Sequence, residues 1–260
     1  MLLAIDIGNT NIAVGIFQGE KLIKHWKIQS DRDKTCDDYK ITLMNLFSIS
    51  HLEVSEINAV IFSSVVPPLT PIFQQLSECF FQSKPIVVGP GLKTGMPILY
   101  ENPLEVGADR IVAAVGAFSK FGGPSIVVDF GTATTFDVIS SRGEYLGGTI
   151  APGIQIAAEA LYLKTAKLPR IEIVKAREVI GRTTVKSMQS GLYFGYQGLV
   201  SNIILKIKEE LEENAKVIAT GGYSSLIFDD MKSIDFHEPF LVLEGLRTIY
   251  ERNKAKEEAN

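Results

Sequence analysis

Two segments of this chain repeat one unusual turn. Near the N-terminus, LLAIDIGNTNIAVGIF carries Asp6, Gly8, Asn9, Thr10 and Asn11. Just before the midpoint, SIVVDFGTATTFDVIS carries Asp129, Gly131, Thr132, Thr134 and Thr135. Each is an apolar strand, an Asp, a small polar turn with Gly two residues after that Asp, and a second apolar strand. Each second strand then runs into Gly-Glu, at Gly19-Glu20 and at Gly143-Glu144. Such a duplicated acidic hairpin points to two facing half-domains that grip one polyanion between them.

The chemistry of the turn supports that reading. Gly8 and Gly131 are expected to take backbone angles closed to other residues. Successive N–H groups in such a turn form a concave anion site. Asn9, Thr10, Asn11, Thr132 and Thr134 add side-chain donors. An Asp on the strand before the turn cannot bind phosphate directly, but it can hold a cation, or that cation's water, which bridges to phosphate. An ordinary Asn- and Thr-rich hairpin accounts for either copy alone equally well. The two copies together favour the anion site.

The rest of the chain reads as α/β. Strands are expected at 2–6, 12–17 and 22–28, a helix at 35–49, a buried strand at 59–64 and a helix after Pro67-Pro68. A short strand starts at Pro85, and a helix at 106–120 opens near Gly107. The second half repeats the plan, with strands at 125–129, 135–139 and 145–150, helices at 154–163 and 185–213, a strand at 216–220 and a short helix. The charged tail ERNKAKEEAN reads as a solvated helix end. In 260 residues this gives two units of ordinary domain size, divided near 117/118. The net charge of −4 argues against a nucleic-acid partner. No apolar run reaches the roughly 18 residues of a membrane span, and Leu2 enters a strand without a basic flank, so no signal peptide is expected. Cys36 and Cys79 lack metal or redox spacing and suit reduced thiols in a cytoplasmic protein.

Further motifs lie between the hairpins and beyond them. Gly107-Ala108-Asp109-Arg110 sits at the mouth of the 106–120 helix. Asp109 there suits a base and Arg110 an anion clamp; equally, an acidic first turn can complement the helix dipole with Arg as its ion-pair partner. Gly191, Gly195 and Gly198 recur at near-helical spacing and suggest close helix–helix contact at a dimer seam. ATGG at 219–222 is a third glycine element, which alone reads as a plain strand-to-helix turn.

Three strands, a helix and a strand-turn-helix, all in duplicate, describe the actin-like (ribonuclease H-like) kinase and ATPase fold, whose central cleft holds ATP. The ordered set DIGNTN, GADR, DFGTATT, IAPG, TAKLP, GRTTVKSMQSG and ATGG, from Leu2 to about Gly245, resembles the type III pantothenate kinase family. The resemblance implies transfer of the ATP γ-phosphoryl group to the primary hydroxyl of pantothenate, the entry step to coenzyme A. It also implies a homodimer, magnesium with the nucleotide, and a monovalent cation, potassium or ammonium. By position, Asp6, Ile7, Gly8, Asn9, Thr10, Asn11, Ile12 and Ala13 match the nucleotide phosphate loop, and Thr132 matches an ATP contact. Asp109 matches the proton acceptor. Tyr100, Gly107, Ala108, Asp109 and Arg110 match the pantothenate pocket, and Thr184 a substrate contact in the dimer interface. Asp129 matches the monovalent-cation ligand. Ala113 and Thr183 stand where Asn is common in the family. A non-catalytic ATP-binding regulator on the same scaffold and a sugar kinase of the same fold are the alternatives, separable by their substrates.

Overall fold

The computed structural model describes residues 1–257 and divides into two compact units. In the first, β1 (Leu2–Ile7), β2 (Asn11–Gln18) and β3 (Lys21–Gln29) form an antiparallel meander. It leads into α1 (Cys36–Ile49), β4 (Ala59–Ser64), α2 (Thr70–Phe80), the short β5 (Ile86–Val87) and α3 (Ala108–Phe121). The sheet order is β3-β2-β1-β4-β5, with β4 parallel to β1. The second unit contains β6 (Ser125–Phe130), β7 (Ala133–Ile139), β8 (Tyr145–Pro152), α4 (Ile154–Lys164), α5 (Thr184–Leu211), β9 (Lys216–Thr220), α6 (Ser224–Ile227) and β10 (Phe236–His237). Its sheet order is β10-β9-β6-β7-β8, with β9 parallel to β6. Read from the meander edge, the two sheets have one topology. The duplication legible in the hairpins thus extends to both whole sheets.

Burial explains why these runs become strands. Leu3, Ala4 and Ile5 are consecutive and fully buried, so β1 is covered on both faces. On one side it packs with Tyr39, Leu43 and Phe47 of α1 and Phe73 and Leu76 of α2. Thr35 starts α1 with a reciprocal capping box, its hydroxyl accepting from the Asp38 N–H and its own N–H donating to the Asp38 carboxylate. In the second unit, Ile126, Val128 and Phe130 of β6 share a core with Tyr196, Val200 and Ile204 of α5. Each such buried large side chain contributes roughly 1.5–3 kcal/mol of burial free energy.

Two chain segments cross the sequence divide expected at 117/118. Pro97–Tyr100 belongs to the second unit, because Tyr145 donates its N–H to the Pro97 carbonyl at 2.8 Å and accepts from the Leu99 N–H at 2.8 Å. The final helix, α7 (Leu241–Glu257), joins the first unit from Val242 onward. There Leu243 lies over Gly15, and Gly245 lies so close to Val112 that a Cβ would stand 2.0 Å from the Val112 carbonyl oxygen. Leu246 and Ile249 are fully buried. Neither α7 nor β10 is marked as an element by the sequence pattern, apart from the charged end of α7. Among the described residues, no helix is long and apolar enough to cross a membrane.

Candidate active site

The first hairpin sits at the carboxyl end of β1. Asp6 pairs across the sheet with Ala13 on β2 and Ser63 on β4. The Ser63 hydroxyl donates to Asp6 Oδ1 at 2.7 Å. The Gly8 N–H donates to the Asn11 carbonyl at 3.1 Å, leaving exposed Asn9 and Thr10 at the tip. Arg32 donates to Asn9 Oδ1 at 3.0 Å, and the Thr10 carbonyl accepts from the Ser30 N–H. The tip is therefore braced by the chain that follows β3.

Glycine serves these turns differently from the sequence expectation. Gly8 and Gly131 are not among the glycines with positive φ. A Cβ at Gly8 would stand 2.9 Å from the Asn11 carbonyl oxygen, so close approach of backbone is what excludes a side chain there. The positive φ angles fall instead at Gly19 and Gly143, the Gly-Glu turns beyond each second strand.

Asp109 belongs to the same unit as Asp6. It lies in the first turn of α3, where its Oδ1 accepts the Arg110 N–H at 2.8 Å. A Cβ at Gly107 would sit 2.5 Å from that oxygen, so the bare glycine lets the carboxylate fold back over the helix start. Burial pushes Asp109 above the usual carboxylate range, against the lowering effect of the Arg110 N–H and guanidinium. Burial likewise pushes Asp6 up to about 7, and the negative charge of Asp109 adds to it, while the Ser63 hydroxyl works the other way. The charge of Asp109, when ionised, thus helps retain the Asp6 proton. The place of Asp109 in the first turn, bonded to the Arg110 N–H, is also that of a carboxylate pairing the helix dipole. Raised carboxylate pKa values make Asp6 and Asp109 candidates for a functional site.

The second hairpin is built around Asp129, which pairs with Thr135 on β7 and Thr220 on β9. Gly221, the first glycine of the GG pair in ATGG, has φ +93°, and a Cβ there would lie 2.2 Å from Asp129 Oδ1 and 2.6 Å from the Phe130 nitrogen. The third glycine element thus closes against the second acidic hairpin, a contact that the sequence did not reveal. Gly153 performs the same service on another side, where a Cβ would meet the carbonyl oxygens of Thr132 and Gly131 at 2.1 and 2.8 Å. Asp129 offers a carboxylate that suits a hard cation. Among the described residues, no group of three or more His, Cys, Asp or Glu forms a protein-built metal cage. A divalent ion here would take phosphate and water oxygens alongside one or two carboxylates.

Other positions fall where their elements carry them. Thr132 is exposed at the second turn, and Thr184 is exposed as the first residue of α5 after the Thr183 cap. Tyr100 is half-buried in the second unit. Gly191, Gly195 and Gly198 are exposed on α5, and a Cβ at any of them would meet nothing within 4 Å. Sequence reasoning missed Ser63, which is silent until β4 lies beside β1. It also missed Tyr196, whose hydroxyl bonds the buried Thr134 of the second turn. Burial first, and then the negative Asp129, push the Tyr196 phenol up, so it stays a hydroxyl.

A duplicated α/β fold with an acidic turn at the head of each sheet defines a phosphotransferase of the actin-like class. Solved structures share that fold. A Campylobacter jejuni protein assigned to the Baf family of transcriptional activators superposes with a TM-score of 0.62 at 20% identity, covering 97% of this chain and 99% of that one. A Sinorhizobium meliloti protein assigned as a 2-dehydro-3-deoxygalactonokinase gives 0.57 at 10% identity, covering 98% and 96%. In sequence, the profile of the type III pantothenate kinase family matches residues 2–206. The type III pantothenate kinase of Geobacter sulfurreducens is 52% identical over 254 residues, spanning 98% of this chain and 100% of that protein. This chain belongs to the type III pantothenate kinase family.

Proposed function

We propose that this chain is an ATP-dependent pantothenate kinase in which Asp109 is the general base and the Asp6 hairpin receives the nucleotide phosphates. The observation that carries this reading is the Asp6 carboxyl at the end of β1, raised by burial and by the charge of Asp109, which burial itself raises. Transfer of a phosphoryl group to an alcohol depends on positioning, charge neutralisation and acceptance of the hydroxyl proton. The Asp109 carboxylate takes that proton from the primary hydroxyl of pantothenate as oxygen attacks the γ-phosphorus and the bond to the ADP oxygen breaks. Gly8 to Ala13 offer N–H groups, hydroxyls and amides to the phosphates, and Thr132 adds a contact from the second turn. Magnesium on the nucleotide, when bound, neutralises phosphate charge, and Asp6 is the residue that would hold it or its water. Asp129 would hold a potassium or ammonium ion, a role supported by its place at the head of the second hairpin with Gly221 packed against its Oδ1.

Arg110 suits the pantothenate carboxylate, since its fork matches a carboxylate bidentately. Tyr100, Gly107 and Ala108 complete the pocket on this reading. The active unit is a homodimer in the cytoplasm, with α5 at the seam; the exposed glycine face of α5 supports this, because small residues let two helices approach closely. Thr184 then contacts substrate at that seam. The test is ADP release by the purified chain with ATP, magnesium and potassium, offered pantothenate, a panel of sugars, or neither. Release that requires pantothenate is expected. Release with a sugar in its place, or none with pantothenate, would overturn the reading.

A further inference from the structure

Asp137 is a fully buried acid in the middle of the second sheet, and none of the phosphotransfer steps above uses it. It stands on β7 between Val127 of β6 and Gly148 of β8. Burying a carboxylate is costly, and an apolar residue at such a position is often no less stable. Its two oxygens are instead committed in two directions. Oδ1 accepts the Tyr145 hydroxyl at 2.7 Å, and Oδ2 accepts the Thr135 hydroxyl at 3.1 Å. Thr135 is the cross-strand partner of Asp129.

Tyr145 is itself fully buried, and it grips the chain segment that precedes Tyr100 from both sides. Its N–H donates to the Pro97 carbonyl and its carbonyl accepts from the Leu99 N–H, each at 2.8 Å. Ile98 pairs with Tyr145 in a parallel bridge. The next aromatic ring, Tyr100, lies with its centroid 6.5 Å from that of Tyr145 at an interplanar angle of 52°. Beneath the Tyr100 ring the backbone turns through Gly147 at φ +127°, where a Cβ would lie 3.5 Å from Cδ2 and Cε2. A side chain at that φ is strained. The place of Tyr100 is therefore set by the Tyr145 strand, and the Tyr145 ring by Asp137.

We propose that Asp137 is a positioning residue for pantothenate, acting through Tyr145 to hold Tyr100 in place. The proposal rests on the reading that Tyr100 lines the pantothenate pocket. Asn at 137 keeps one acceptor and turns a donor toward the other hydroxyl, so one bond is lost or reversed. Phe at 145 keeps the ring and removes the hydroxyl. The Tyr145 change leaves the Thr135 bond, and with it the second hairpin, intact, whereas Asp137→Asn also alters that bond.

The experiment measures initial rates of the full chain, with pantothenate and ATP varied separately, for Asp137→Asn, Tyr145→Phe, their combination, and Tyr100→Ala. The expected result is a rise of about ten-fold in the pantothenate KM for each of the first two, with the ATP KM held within about two-fold in Tyr145→Phe, which leaves the Thr135 bond in place. The double variant should be no worse than the worse single, because both break the same link. A merely structural acid would lower the thermal midpoint and leave the pantothenate KM where it was, and that result in Tyr145→Phe overturns the proposal. If Asp137→Asn does not fold, Tyr145→Phe decides alone. Should Tyr100→Ala raise the pantothenate KM while Tyr145→Phe does not, the proposal fails and the pocket reading stands. An unchanged KM in Tyr100→Ala removes the pocket reading, and the proposal with it.

Discussion

Replacing Asp6 with Asn is expected to stabilise the ligand-free protein at neutral and alkaline pH while removing its kinase activity. Burial and the neighbouring charge of Asp109 push Asp6 from an ordinary 3.8 up to about 7. The folded protein therefore binds a proton at Asp6 that the unfolded chain has already released between those values. Stability must fall as pH rises through this window, since the native state holds the extra proton. The gap is roughly three pH units, and each is worth about 1.4 kcal/mol, which sets an upper figure of about 4 kcal/mol above pH 7. Asp6 is half-buried, and solvent screening discounts this to on the order of 2–4 kcal/mol. Asn carries no charge and keeps an oxygen for the Ser63 hydroxyl, so it escapes the penalty without losing that bond. Thermal midpoints of wild type and Asp6→Asn, measured without nucleotide from pH 4.5 to 8.5, should converge at the acid end and diverge by on the order of 5–10 °C at the alkaline end. The variant should show no ADP release with pantothenate. A variant less stable than wild type at pH 8, or one with an unchanged gap across the pH range, refutes the account of Asp6 as a buried, charge-opposed acid.

Asp109→Asn should fold and lose about 10²–10⁴-fold in rate; a folded variant keeping more than roughly a tenth of wild-type turnover excludes Asp109 as the base. The same variant removes the charge that opposes Asp6, so the pH at which stability is lost should move down toward the ordinary carboxylate range, readable in the same thermal series. Replacing potassium by sodium should cut the wild-type rate sharply, with Asp129 carrying the dependence; equal rates in the two salts would sink the cation assignment. Mixing inactive Asp109→Asn chains with inactive Thr184→Arg chains under subunit exchange should restore part of the activity if the site is shared across a dimer. A monomeric mass, or no recovery after confirmed exchange, counts against that arrangement.

Much of this protein is legible in its sequence because the informative signals are local. An apolar run, an Asp, a glycine two residues on and a second apolar run fix each hairpin within a short stretch of chain, so β1, β2, β6 and β7 and their turns emerge with boundaries close to those observed. The GADR helix and the α5 helix follow from similar short-range periodicity. Other features depend on groups far apart in the chain. Ser63 reaches Asp6 only because β4 lies parallel to β1, 57 residues away in sequence. The raised pKa of Asp6 comes first from burial and then from the charge of Asp109, and both act only once the chain has brought the two into one unit. Gly221 matters to Asp129 through a close approach created by the pairing of β9 with β6. Only the charged end of the final helix, from Glu251, is legible locally; the stretch before it, where Leu243, Leu246 and Ile249 are buried and Gly245 abuts Val112, is not. Sequence determined which residues could do chemistry; the tertiary structure decided which of them share an environment, because desolvation and Coulomb repulsion depend on distance in space and are invisible to spacing along the chain.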